Sequence, residues 1–222
     1  MKKILQLTLI LTLLLGLGFF ATGMYPPLES GIKLNKTKSV NKDFQDGDII
    51  FQSSTAGQSL AIQLATKSKY SHVGIIYKID GDFFVLEAVQ PVKITPFKIW
   101  VSHGDNNHYV VKRLKNADQI LTKEIINKMK QIGNKFIGKN YDLYFEWSDD
   151  RIYCSELVWK IYQEGTGIEI GELQKLSDFD LTSEVVKQKL KERYGNNIPM
   201  DELVISPGAM FDSELLVEVV SK

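Results

Sequence analysis

A chain of 222 residues with 44% hydrophobic and 24% charged side chains has the composition of a folded domain and excludes disorder as its main theme. Its 27 Lys and Arg match 27 Asp and Glu; the first 23 residues hold only Lys2 and Lys3, so the remainder carries 25 basic and 27 acidic groups. No basic field exists to hold nucleic acid without sequence preference, and nucleic acid is not expected as a partner.

The chain opens with Lys2 and Lys3, an uncharged 17-residue run from Ile4 to Phe20, and the small residues Ala21-Thr22-Gly23. Residues 1–23 therefore read as a secretory signal peptide or, if retained, as a membrane anchor that gives the N-terminus a membrane contact. The expected location is outside the cytoplasm, in the periplasm or cell envelope. No cysteine follows the run, which excludes lipoprotein attachment there. Residues 24–45, with Pro26, Pro27, Ser30 and Gly31 and no apolar period, read as a tether or surface arm. One domain is expected from 46 to 222.

Within that domain Ile49-Ile50-Phe51 reads as a buried strand, and Leu60, Ala61, Leu64 and Ala65 have helical spacing within 58–66. Two runs rich in β-formers, 72–79 and 83–89, flank Asp80-Gly81-Asp82 and predict a hairpin. A third strand is expected at 108–113. Thr122 can cap a helix carrying Ile125, Ile126, Met129 and Ile132, with Gly133 as its stop. A helix from Cys154 presents Leu157, Val158 and Ile161 on one face and should stop at Gly165 or Gly167, with the stretch from Ser148 to Arg151 as its cap. A charged helix at 183–194 ends at Gly195, and a strand at 203–205 precedes a short element after Pro207. These elements predict a strand-centred α+β domain.

The hairpin has a chemical consequence. If Asp80-Gly81 form the two loop residues of a type I′ turn, Ile79 faces Asp82, His72 faces Val89 and Gly74 faces Glu87. His72 and Glu87 then project from one face as diagonal neighbours about 7–8 Å apart at Cα, and Gly74 leaves room between them. A carboxylate beside an imidazole fixes its tautomer and supports the imidazolium formed when the ring takes a proton. The alternative is a structural ion pair.

Cys154 is the single cysteine and has no intramolecular partner. It is either a buried apolar side chain, a link to another chain, or a nucleophile. Its position at a helix start favours the last, because unpaired N–H groups and the positive end of the helix dipole lower a thiol pKa and can bind an oxyanion. The face it shares with Leu157, Val158 and Ile161 should direct the thiol toward the sheet and the His72/Glu87 pair. Nucleophile, base and orienting carboxylate are the minimum set for cysteine acyl transfer.

The segments Gly47-Asp48-Ile49-Ile50-Phe51, Tyr70-Ser71-His72-Val73-Gly74, Leu86-Glu87-Ala88-Val89 and Asp149-Asp150-Arg151-Ile152-Tyr153-Cys154-Ser155-Glu156 resemble the YiiX-like branch of permuted papain-like proteins of the NlpC superfamily. The likeness continues through Ala61 to Thr66, Pro91 to Pro96, Lys191 to Gly195 and Ser206-Pro207, so it covers nearly all of residues 46–213. It implies an antiparallel sheet or small barrel packed against the cysteine helix. It also implies a cysteine amidase or peptidase in which Cys154 attacks, His72 is base then acid, and Glu87 orients His72. Superfamily relatives cleave cell-wall peptides and other permuted relatives act on lipid acyl groups, and the fold does not choose between them.

Tyr153 and Tyr141 are candidates for an oxyanion or substrate hydrogen bond, or else for packing. Tyr144, Phe145 and Trp147 could line a pocket for an acyl chain, but core packing is the preferred reading. His103 and His108 flank a polar loop, and His72 with Cys154 and Glu87 could formally ligate zinc, but the usual short ligand spacings are missing, and neither metal nor cofactor is expected. The expected substrate is a small peptide, an amino-acid amide or an acyl lipid. The leading expectation is an exported amidase acting on envelope-derived peptides or N-acyl amino acids. A lipid ester hydrolase or acyltransferase on the same three residues, and a catalytically silent binding protein, are the alternatives.

Overall fold

A computed structural model of the protein describes residues 43–222 except Thr55; the export segment and the arm up to residue 42 lie outside the described residues. The architecture is α+β, built on a six-stranded antiparallel sheet. Strands β1 (Ile49–Gln52), β2 (His72–Ile79), β3 (Asp82–Glu87), β4 (Lys93–Pro96) and β5 (Val110–Leu114) belong to this sheet. Two short ladders stand apart from it: β6 (Asn140–Tyr141) runs parallel to β7 (Arg151–Ile152), and β8 (Gln174–Lys175) antiparallel to β9 (Leu203–Val204). The last strand, β10 (Leu216–Ser221), returns to the sheet edge, giving the order β10-β5-β1-β2-β3-β4.

Alternation along the strands sends side chains into two cores. Ile49, Phe51, Val73, Ile75 and Tyr77 face α4 (Lys123–Phe136) and α5 (Cys154–Thr166), whereas Ile50, Ile76 and Val85 pack on α2 (Phe97–Ser102), which follows α1 (Ser59–Thr66) in the chain. A single turn, α3 (Ala117–Ile120), precedes α4, and α6 (Glu184–Tyr194) and α7 (Pro207–Phe211) complete the helices. Small α1 residues Ala61 and Ala65 pack against α6, so Leu60 and Leu64 of the same helix stay exposed.

The hairpin has the expected register, with Ile79 opposite Asp82 and Ile75 opposite Leu86. Asp80 and Gly81 both have positive φ, 51° and 92°, as a type I′ turn requires. Thr122 caps α4 by accepting from the Ile125 N–H, and Ser183 caps α6 in the same way.

Several boundaries differ from the sequence reading. Gly133 does not end α4, which continues to Phe136, because burial of the Phe136 side chain outweighs the roughly 1 kcal/mol that glycine costs inside a helix. Gly165 lies inside α5, where a Cβ would sit 2.5 Å from Met129 Cγ of α4; the stop is Gly167, at φ 79°. The stretch from Ser148 to Arg151 does not cap α5. Tyr153 is the N-cap, its N–H bonded to Glu156 Oε2 at 3.4 Å, while Arg151 enters β7. Phe44, placed by the sequence reading in the arm, is buried against Phe83 and Phe97, so the domain includes it.

Gly74 lies where β2 and β3 approach most closely: a Cβ there would be 2.4 Å from Val85 Cγ1 and 2.8 Å from the Leu86 carbonyl oxygen. Gly74→Ala is therefore expected to force the hairpin apart and lower stability by about 1–3 kcal/mol, measured by urea unfolding.

Candidate active site

The hairpin carries the first half of the site. His72 opens β2 and Glu87 closes β3, and on this register their side chains share one face; His72 Nε2 lies 2.6 Å from Glu87 Oε2. Thr95 of β4 donates its hydroxyl to the other carboxylate oxygen at 2.5 Å. Both Glu87 oxygens are thus satisfied in a position only 1% exposed. The Trp100 indole of α2 stacks on the imidazole, with centroids 5.7 Å apart and planes at 22°, and shields it from water.

The helix carries the second half. Cys154 is the first residue of α5, and its sulfur is close enough to the His72 ring, the Val73 N–H and the Tyr141 hydroxyl for each of them to favour the thiolate. Nε2 is engaged by Glu87, which leaves Nδ1 as the ring nitrogen for sulfur. The approach differs from the expected one. Leu157, Val158 and Ile161 pack on the Val73/Ile75 side of the sheet, while His72 and Glu87 project with Ile76 and Val85 toward Trp100. Sulfur therefore meets imidazole at the start of β2, around the end of the sheet and not across its buried face. The β6–β7 ladder sets Tyr141 abreast of Ile152, two residues before Cys154, which explains how the phenol reaches the sulfur.

Electrostatics favour a charged pair. For His72, burial alone would push the pKa down, but hydrogen bonds and charge from Cys154 and Glu87 raise it from 6.5 to about 10. For Cys154, burial would push the pKa up, but His72, then the Val73 N–H and the Tyr141 hydroxyl, hold it below the ordinary thiol value. Burial likewise opposes ionisation of Glu87, and the bonds from His72 and Thr95 win, lowering its pKa. The geometry thus supports thiolate, imidazolium and carboxylate in one line. Tyr141 is pushed the other way, well above its usual value, by burial and by the Cys154 charge, and so remains a neutral donor.

Two clefts meet at this line, with Gln58 and Tyr141 in the walls of both. On the sulfur side lies a groove with an almost wholly apolar lining that includes Ile62, Phe145, Leu190 and Val204. On the imidazole side lies a more polar cleft lined by Gln52, Ser54, Ser71, Gln90 and His103. Tyr153 lines the apolar groove, but its hydroxyl accepts from the Ile205 N–H at 3.2 Å and its ring packs edge-on against Phe145. Of the aromatic trio weighed between an acyl pocket and core packing, Phe145 lines the groove, whereas Tyr144 packs on Tyr194 and Trp147 on Trp159.

Residues 43–220 match the model of the family described as permuted papain-like amidase enzymes, YaeF/YiiX, C92 family. The chain belongs to this family. The uncharacterized protein YiiX of Escherichia coli strain K12 is 51% identical over 178 residues, which cover 80% of this chain and 87% of that protein. The crystal structure of YiiX from Escherichia coli O157:H7, described as a metalloprotein, superposes with a TM-score of 0.77 at 50% identity, covering 81% of this chain and 98% of that one.

The permuted papain-like fold brings together four of the five residues singled out from sequence, Cys154, His72, Glu87 and Tyr141, and places the fifth, Tyr153, in the groove wall. It also shows groups that the sequence reading passed over: Thr95, Trp100, Gln58 and Arg193. Thr95 was within reach of the parity argument, since it pairs with Val85 and so shares the Glu87 face, but β4 was not recognised.

A depressed thiol pKa enlarges the thiolate fraction at neutral pH. Alkylation of Cys154 by iodoacetamide should therefore be fast at about pH 7 and fall only on acidification. His72→Ala removes the largest of the lowering influences and should slow that reaction by roughly 10²-fold as the midpoint returns to 9.0 or above.

Proposed function

We propose that this member of the permuted papain-like amidase family is a cysteine hydrolase that cleaves an amide through a thioester on Cys154. The observation that carries the reading is the buried hydrogen-bonded line from the Cys154 sulfur through the His72 ring to Glu87, opening onto two clefts. The thiolate attacks the substrate carbonyl carbon, forming the S–C bond and an oxyanion. The N–H groups at the start of α5, which have no intrahelical acceptor, and the Tyr141 hydroxyl are the nearby donors for that oxygen. Imidazolium gives its proton to the leaving nitrogen as the C–N bond breaks. Water then attacks the thioester and passes its proton to His72, and the C–S bond breaks to restore the ion pair. Glu87 keeps Nε2 engaged throughout and holds the ring in place.

The clefts support a substrate orientation. The leaving amine must depart on the side of the acid, His72, which borders the polar cleft, so the acyl part lies in the apolar groove. This favours N-acyl amino acids over more uniformly polar wall peptides. The charged start and apolar run of residues 1–20 support export to the envelope; among the described residues no helix is long and apolar enough to cross a membrane.

The Escherichia coli O157:H7 protein is described as a metalloprotein, but the donors among the described residues of this chain do not make a metal site. Among the described residues no group of three or more His, Cys, Asp and Glu is placed to hold an ion, and the His72 and Glu87 groups already bind one another. No step in the proposed reaction is routed through a metal.

Purified protein assayed side by side on N-acyl amino acids, muropeptides and phospholipids should hydrolyse the first most rapidly. Cys154→Ala should abolish turnover with the fold intact, and His72→Ala should lower kcat by about 10²–10⁴. Mass spectrometry of quenched reactions should show an acyl adduct on Cys154. Undiminished turnover by Cys154→Ala would end the proposal.

A further inference from the structure

The apolar groove and the polar cleft are divided by a chain of polar side chains that ends on the sulfur. Arg193 of α6 donates from Nη2 to Gln58 Oε1 at 2.6 Å. Gln58, just before α1, donates from Nε2 to the Tyr141 hydroxyl oxygen at 3.0 Å, and the Tyr141 hydroxyl is close enough to Cys154 for the two to act on one another's ionisation. The guanidinium lies over the Phe145 ring at 4.8 Å, which fixes it laterally. Four side chains from four segments, far apart in sequence, thus form one directed line.

The direction of that line follows from donor chemistry. A guanidinium has N–H donors and no acceptor, so the end of the Gln58 amide that faces it must be the carbonyl. The NH₂ end is then turned to Tyr141, whose oxygen must accept. A neutral phenol has a single hydrogen, and with its oxygen accepting from Gln58, that hydrogen is left for the sulfur or for an oxyanion formed beside it. Were the amide reversed, its carbonyl oxygen would compete for the phenol hydrogen and draw it away from Cys154.

We propose that Gln58 and Arg193 are positioning residues that set the polarity of the Tyr141 hydroxyl, so that it donates toward Cys154 and not away from it. Neither residue needs to touch substrate for this role. The role also explains an arginine at the end of a charged helix whose buried residues are Val186 and Leu190: its guanidinium is half-buried and spent on an amide oxygen, with no carboxylate partner in this line. The inference rests on the proposed thiolate at Cys154. A failure of that reading would show in the pH profile of the unsubstituted protein, whereas a failure of this inference would show only in the comparison among variants.

The test is alkylation of Cys154 by iodoacetamide, followed against pH in the full chain, which needs no substrate. Tyr141→Phe removes the donor and is expected to raise the thiol midpoint by about one unit, slowing alkylation at neutral pH about tenfold. Gln58→Glu presents an acceptor to the phenol in place of a donor and is expected to slow it by a similar factor. In the Tyr141→Phe background, Gln58→Glu should then change the rate by less than about twofold, because no hydroxyl remains to be misdirected. A direct charge effect of the new carboxylate would persist in that background; full persistence there, or no slowing by Gln58→Glu alone, overturns the proposal. Arg193→Met leaves the amide free to reverse and should slow alkylation with the midpoint shifted the same way; an unchanged profile in that variant also overturns it. Circular dichroism of each variant establishes that it is folded before its rate is compared.

Discussion

The bond between His72 and Glu87 is the interaction on which the rest of the site depends. Burial opposes charge on His72, Cys154 and Glu87 alike, and each group left alone would go neutral in this setting. Each is drawn toward its charged form because each supplies the neighbour that another needs. Glu87 anchors the series, since its carboxylate has one oxygen on imidazole and the other on Thr95, and it stabilises the imidazolium that in turn stabilises the thiolate. Trp100 strengthens every link by keeping water from the ring. The whole arrangement descends from a two-residue turn at Asp80-Gly81, because a one-residue slip of this hairpin would move Glu87 to the opposite face.

The two halves of the line are held by different layers of the protein. His72 and Glu87 project into the core that includes Ile50, Val85 and Trp100, while the helix bearing Cys154 is packed in the other core and buttressed by α4 through the close approach of Met129 to Gly165. Sulfur and imidazole meet at the start of β2, where the two layers adjoin. A substrate can enter there because a strand end is flanked by loops and clefts, whereas the sheet faces on either side are filled.

What was legible in the sequence was local or followed from local structure. The hairpin register could be read because the turn type determines it, and Leu157, Val158 and Ile161 marked the helix from Cys154 by their spacing. What escaped was set by contacts remote in sequence. β4 is only four residues long and of mixed character, and its strand identity comes from pairing with β3, whereas β10 carries a run of valines and is placed at the sheet edge by its pairing with β5. Arg193 and Gln58 are separated by 135 positions, and no periodicity points from one to the other. The side from which sulfur reaches imidazole was misread for a related reason. Parity tells which residues share a face, but it does not tell that a helix packed on one face can present its first residue around the strand end to the other.

The division between layers also bears on how the proposed reaction tolerates motion. Tyr141 is tied to Ile152 by the β6–β7 ladder, and the N–H groups at the start of α5 are continuous with Cys154, so the donors for an oxyanion travel with the nucleophile. His72 travels with the sheet. A small displacement of helix against sheet would therefore alter the sulfur–imidazole distance while leaving sulfur and its nearby donors in register. Coulomb attraction within an ion pair falls only as the inverse of distance, whereas hydrogen-bond strength falls steeply with misalignment. The proposed oxyanion donors thus share a unit with the nucleophile, while the contacts of the sulfur with His72 and the Val73 N–H cross from helix to sheet.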